Sequence, residues 1–127
     1  MKTIVSALLV SSAILFVSGP LSAQTASDPI ESYCATMGKR DHFASDGYPL
    51  DNAAAIIRQD RANFHAFGKR DPSDEDDSTF SSKANRAALE SWLRAGSIDA
   101  DAEDAIVNGT PDVCIDIFPD YINVVVL

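Results

Sequence analysis

Four basic side chains near the middle of the chain carry the most suggestive chemistry: Arg58, Arg61, His65 and Lys69 fall at i, i+3, i+7 and i+11. On a helix that spacing sets them along one edge, on neighbouring turns. Two guanidinium forks side by side can grip a planar or tetrahedral anion through paired charge-assisted hydrogen bonds, and an imidazole beside them can act as acid or base near neutral pH. Arg58, Arg61 and His65 are therefore the candidate ligand-binding residues, with a small anion as the ligand class. The same stripe has a second assignment. Asp71, Asp74, Glu75, Asp76 and Asp77 follow it directly and can neutralise it within the chain.

Other reactive residue types form less complete sets. Counted from Asp71, the acidic stretch lacks the glycine at the sixth place and the glutamate at the twelfth that an EF-hand calcium loop requires, and Asp99-Ala100-Asp101-Ala102-Glu103 fails the same test. Two histidines, His42 and His65, fall short of the three protein ligands that a zinc site normally takes. No nucleophile is paired with a base at a recognisable spacing, so no catalytic residues are assigned, and neither a metal nor a cofactor is expected.

Cys34 and Cys114 are the only two cysteines. In an oxidising compartment an isolated pair forms a disulfide. A bridge closing a loop of this length is worth roughly 4 kcal/mol at most.

One short pattern occurs twice, as Gly38-Lys39-Arg40-Asp41 and Gly68-Lys69-Arg70-Asp71. A glycine before a dibasic pair resembles the cleavage and amidation signal of secreted neuropeptide precursors. That resemblance covers only these two four-residue stretches, and it implies processing at Gly38-Arg40 and Gly68-Arg70. Helix termination accounts for the same residues, because a glycine ends a helix and basic side chains complement the dipole there.

The elements that must position these residues begin behind an export signal. Lys2 precedes a run of apolar and small residues from Ile4 to Val17, Gly19 and Pro20 break it, and Leu21-Ser22-Ala23 offers a cleavage site before Gln24. Residues 1–23 are thus expected to be a signal peptide, 24–28 a flexible lead-in, and 29–127 a single small domain located in the periplasm or secreted. Removing residues 1–23 with their lysine takes the formal charge from −9 to −10. Nucleic acid and anionic membrane surfaces need a basic face, so neither is an expected partner; a small anion or another protein remains.

Helical periodicity is read at residues 29–37, capped by Asp28 with Cys34 on the buried side, and again at 51–67, 83–95 and 98–107. In the second of these, Ala53, Ala54, Ile57 and Phe64 form the apolar stripe, with Ile56 and Phe67 flanking it. Residues 71–82 read as a solvated loop. Trp92 is assigned to the core with Ala88 and Leu89. The period changes to two at Val113, Ile115 and Ile117, and Tyr121 to Leu127 is β-branched and aromatic, which predicts a hairpin turning at Pro119-Asp120. The expected fold is α+β, three to four short helices followed by a β-hairpin packed on them. The expected role is an exported binding or accessory protein. A small secreted enzyme using His65 with Arg58 and Arg61, and a processed peptide precursor, are the alternatives.

Overall fold

The computed structural model describes residues 14–16, 18, 19 and 26–127. The expected signal peptide and its Ala23-Gln24 junction lie, but for residues 14–16, 18 and 19, outside the described residues. From residue 31 the element order is β1 (Glu31–Thr36), α1 (Ala53–His65), α2 (Lys83–Ala95), β2 (Ser97–Ile98), α3 (Ala100–Asn108), β3 (Asp112–Ile117) and β4 (Ile122–Val126). Short 3-10 turns at Lys39–His42 and Thr79–Ser81 precede α1 and α2. The strands form one sheet of order β1-β3-β4-β2, antiparallel except where β2 runs parallel to β4. The class is α+β, as its pattern of periods predicts.

The hairpin is where the alternating residues place it. β3 and β4 pair with Ile117 opposite Ile122, and Phe118 and Tyr121 stack across the turn with ring centroids 4.3 Å apart. Val113, Ile115, Ile117, Ile122 and Val124 point to one face and pack with Ile56, Ile57, Leu89 and Ile106 from the helices. The helix α2 occupies Lys83–Ala95 as read from the sequence, with the Ser82 side chain accepting the Asn85 N–H as N-cap. It ends at Gly96, where a Cβ would lie 1.7 Å from the Ile122 carbonyl oxygen, so only glycine lets α2 close onto β4. Trp92 is half-buried rather than enclosed, resting on the edge of the core against Phe80 at 6.1 Å between ring centroids.

The first predicted helix, at residues 29–37, is instead the strand β1. Ile30, Tyr33, Cys34 and Met37 satisfy a helical spacing, but Tyr33, Ala35 and Met37 also alternate, and a segment this short does not separate the two periods. Pairing decides the outcome: β1 finds β3 as an antiparallel neighbour, with Tyr33 opposite Ile115 and Ala35 opposite Val113, all buried. Ile30 is left 63% exposed. Cys34 accordingly lies on the sheet's outer face, directly opposite Cys114, and the two form the expected disulfide across β1 and β3 with Cα atoms 4.1 Å apart.

That outer face is polar around the bridge. Ser32 Oγ donates to Asp116 Oδ1 at 2.6 Å, and Thr36 Oγ1 donates to Asp112 Oδ1 at 2.5 Å. The free edge of β1 is covered by the acidic loop rather than by a strand. Glu75 Oε2 accepts the Cys34 N–H at 2.7 Å, the Glu75 N–H returns to the Cys34 carbonyl at 2.9 Å, and Asp74 Oδ1 accepts the Thr36 N–H at 3.0 Å. The stretch expected to be solvated is therefore built into the fold, and it satisfies backbone groups that an edge strand would otherwise leave open. Among the described residues no helix is long and apolar enough to cross a membrane.

Candidate functional site

The core face of α1 carries Ala53, Ile56, Ile57, Asp60, Arg61 and Phe64, all buried. Arg61 is wholly enclosed, with its guanidinium carbon 4.2 Å from the centroid of the Tyr33 ring and 4.4 Å from that of Phe64. A buried cation needs countercharge and hydrogen bonds. Arg61 Nε donates to Asp60 Oδ2 at 2.7 Å, and Nη1 donates to Asp77 Oδ1 at 2.9 Å and to the Glu75 carbonyl at 3.0 Å. Nη2, like the Tyr33 hydroxyl, is buried without a hydrogen-bond partner among the described residues.

Asp77 organises the approach to the second 3-10 turn. Its Oδ1 lies 2.8 Å from His65 Nε2, and its Oδ2 accepts the Phe80 N–H at 2.5 Å. Burial works against the charge on Arg61, yet Tyr33, Asp60 and Asp77 around it hold its pKa above the ordinary value. Burial pushes the Asp60 carboxyl up to about 7, even though Arg61 opposes the shift. Asp41 is also raised by burial, against the pull of hydrogen bonds from the Asn63 side chain and the Gly38 N–H. Glu31 is lowered: burial disfavours its charge, but donors on Ser78 and Thr79 outweigh that effect.

The three residues singled out for anion binding thus separate. Arg61 and His65 converge on Asp77, within the chain's own acidic loop, whereas Arg58 is exposed and lies in a groove formed by other elements. Lys69 is exposed beyond the end of α1. His42, the other imidazole, joins the first 3-10 turn to α3, with Nδ1 2.9 Å from the Gly38 carbonyl and Nε2 2.8 Å from that of Ile106. Of the repeated pattern, Gly38 is buried against Asp71, while Gly68, Lys69 and Arg70 are exposed after α1, with Gly68 at φ +63°. No three His, Cys, Asp or Glu side chains among the described residues are grouped to hold a metal ion.

Arg58 lies in an open groove of about 650 Å³ between α1, the 44–50 loop and the start of α2. Its apolar lining comes from Leu50, Ala54, Ala55, Ala62, Ala66 and Phe67. Ala54, Ala62 and Ala66 share an i, i+4 row with Arg58; Ala54 packs against the edge of the core, while Ala62 and Ala66 stand where a solvent-facing helix row ordinarily carries long polar side chains. Phe67, expected to flank the core, is 53% exposed here. Lys83 and Arg86, from the first turn of α2, complete the cationic part of the lining. Neither was singled out by the sequence. The available signal was that this first turn is basic and carries no acid, the reverse of what the helix dipole favours.

Comparison with protein-family models, with curated proteins and with solved structures finds no match for this chain.

Proposed function

We propose that this chain is an exported binding protein and that the groove between α1, the 44–50 loop and α2 is its binding site. The observation that carries the reading is the apolar groove itself. Its volume of about 650 Å³ falls in the range that holds small organic ligands, and a few polar groups stand around an apolar lining, as such sites require. Export accords with the apolar segment behind Lys2 and with a disulfide that joins the only two cysteines. The buried Arg61, Asp77 and His65 cluster supports the fold beneath the site by fixing the acidic loop to α1.

Ala62→Trp fills the groove without touching the core face of α1, so it tests the reading directly. Titrated with the neutral, environment-sensitive dye Nile red, the wild-type protein should give saturable blue-shifted emission. The variant should lose that signal while keeping its far-ultraviolet circular dichroism and its thermal midpoint. A wild-type protein that leaves the dye unshifted, or a variant that binds it equally well, would sink the proposal.

A further inference from the structure

We infer that the groove selects a monomeric amphiphile with one anionic headgroup, of the class of a medium-chain carboxylic acid; this deepens the binding reading above and rests on it. The chain carries a formal charge of −9, yet three cations, Arg58, Lys83 and Arg86, line this groove against two carboxylates, Asp46 and Glu90. Both carboxylates are engaged within the protein. Asp46 Oδ1 accepts the Tyr48 N–H at 3.1 Å, and Glu90 Oε1 pairs with Arg94 at 3.2 Å. The cations are less occupied: among the described residues Arg58 and Lys83 make no side-chain hydrogen bond or ion pair. Arg86 is only 9% exposed, and Nη1 alone is bonded, to the carbonyls of Phe80 and Ser81. Its Nε and Nη2 have no protein partner among the described residues.

A guanidinium nine-tenths buried and held by one nitrogen is pre-oriented, so an incoming carboxylate meets a fixed fork rather than a mobile side chain. Cations in the first turn of α2 also oppose its dipole, a cost that a bound anion would reverse. Beside this charge the alanine row leaves room for an alkyl body to lie along α1, and the exposed Phe67 ring offers apolar area to cover it. The headgroup therefore meets the cations while the tail lies on the alanines. An anionic bilayer would be repelled by the rest of an acidic chain, which points to a single dissolved molecule rather than a membrane surface.

Calorimetric titration at low salt with decanoate and with decanol, both below their aggregation limits, separates the headgroup from the tail. The wild-type protein should bind decanoate about tenfold more tightly than the alcohol, the scale expected from a few partly exposed ion pairs acting together. An Arg58→Gln, Lys83→Gln double variant should lower that ratio to about threefold, the part that the retained Arg86 fork supplies, and leave decanol affinity unchanged; Arg86 is kept because it ties α2 to the preceding turn. Vesicles of anionic phospholipid should not bind. Equal affinities for acid and alcohol in the wild type would overturn the headgroup inference while leaving the groove reading in place, and vesicle binding that outcompetes decanoate would overturn it in favour of a membrane surface. If neither ligand binds and Nile red also fails, the groove reading itself falls. A dimer at micromolar concentration that excludes all three would overturn both, the occupant then being a second copy of the chain.

Discussion

Replacing Asp60 by asparagine removes a buried carboxyl whose titration falls in an accessible pH range. Burial sets its pKa at about 7 in the fold, against an ordinary value of 3.8. A carboxyl raised on folding prefers its proton in the native state, so its contribution is fully present below the ordinary value and is lost as pH rises toward 7. Three units of difference at about 1.36 kcal/mol each amount to about 4 kcal/mol across the whole window, of which about 3 kcal/mol falls between pH of about 5 and about 8. Asp41, also raised by burial, adds a change of the same sign; Glu31, lowered, acts oppositely and only in more acidic solution. Comparing wild type with Asp60→Asn cancels both. Asparagine keeps the shape of the side chain and an oxygen for Arg61 Nε, so the pair differs chiefly in the titrating group. Urea unfolding followed by Trp92 emission at the two pH values is the assay, because that ring leaves its contact with Phe80 on unfolding. The wild type should lose about 3 kcal/mol more than the variant on going from the acidic to the alkaline buffer. Parallel losses in the two proteins would refute the argument that burial, rather than the ion pair with Arg61, governs this carboxyl.

Arg61→Ala should cost about 3 to 5 kcal/mol in chemical denaturation, since it leaves Asp77 buried beside a single half-buried imidazole and strips the cation from between two rings; a loss under about 1 kcal/mol would mean that the cluster relaxes into water. Cys34→Ser combined with Cys114→Ser should lower stability by roughly 4 kcal/mol at most and leave the fold class intact by circular dichroism. Two alkylatable thiols in the unreduced native protein would show that the bridge does not form in solution.

The hairpin, α2 and the disulfide pairing were legible in the sequence because each depends on a simple signal: alternation in Val113, Ile115 and Ile117, helical periodicity over 83–95, and a single possible cysteine pair. β1 was not, because its identity is conferred by β3, some 80 residues away, and not by its own period. The anion-site residues show a finer limit. Residues three apart on a helix differ by only about 60° in direction, and the boundary of the core falls within that angle, so Arg58 stays outside while Arg61 goes in. Helical spacing gives a common edge but not which way that edge faces. Lys83 and Arg86 join Arg58 only because α2 packs beside α1, and nothing in either helix alone states that contact.

The position of β1 at the sheet edge, bridged to β3, also sets a schedule for the folding chain. All three helices are synthesised between the two strands, and the apolar faces of those helices close over a sheet whose central members, β3 and β4, emerge after them from the ribosome. Until those strands appear, β1 has only the acidic loop beside it, Cys34 has no partner, and the helices have one another but no sheet to pack on. Pairings this distant in sequence make folding slow and place its decisive step late. The sheet that closes the core is thus completed only after all three helices have been made.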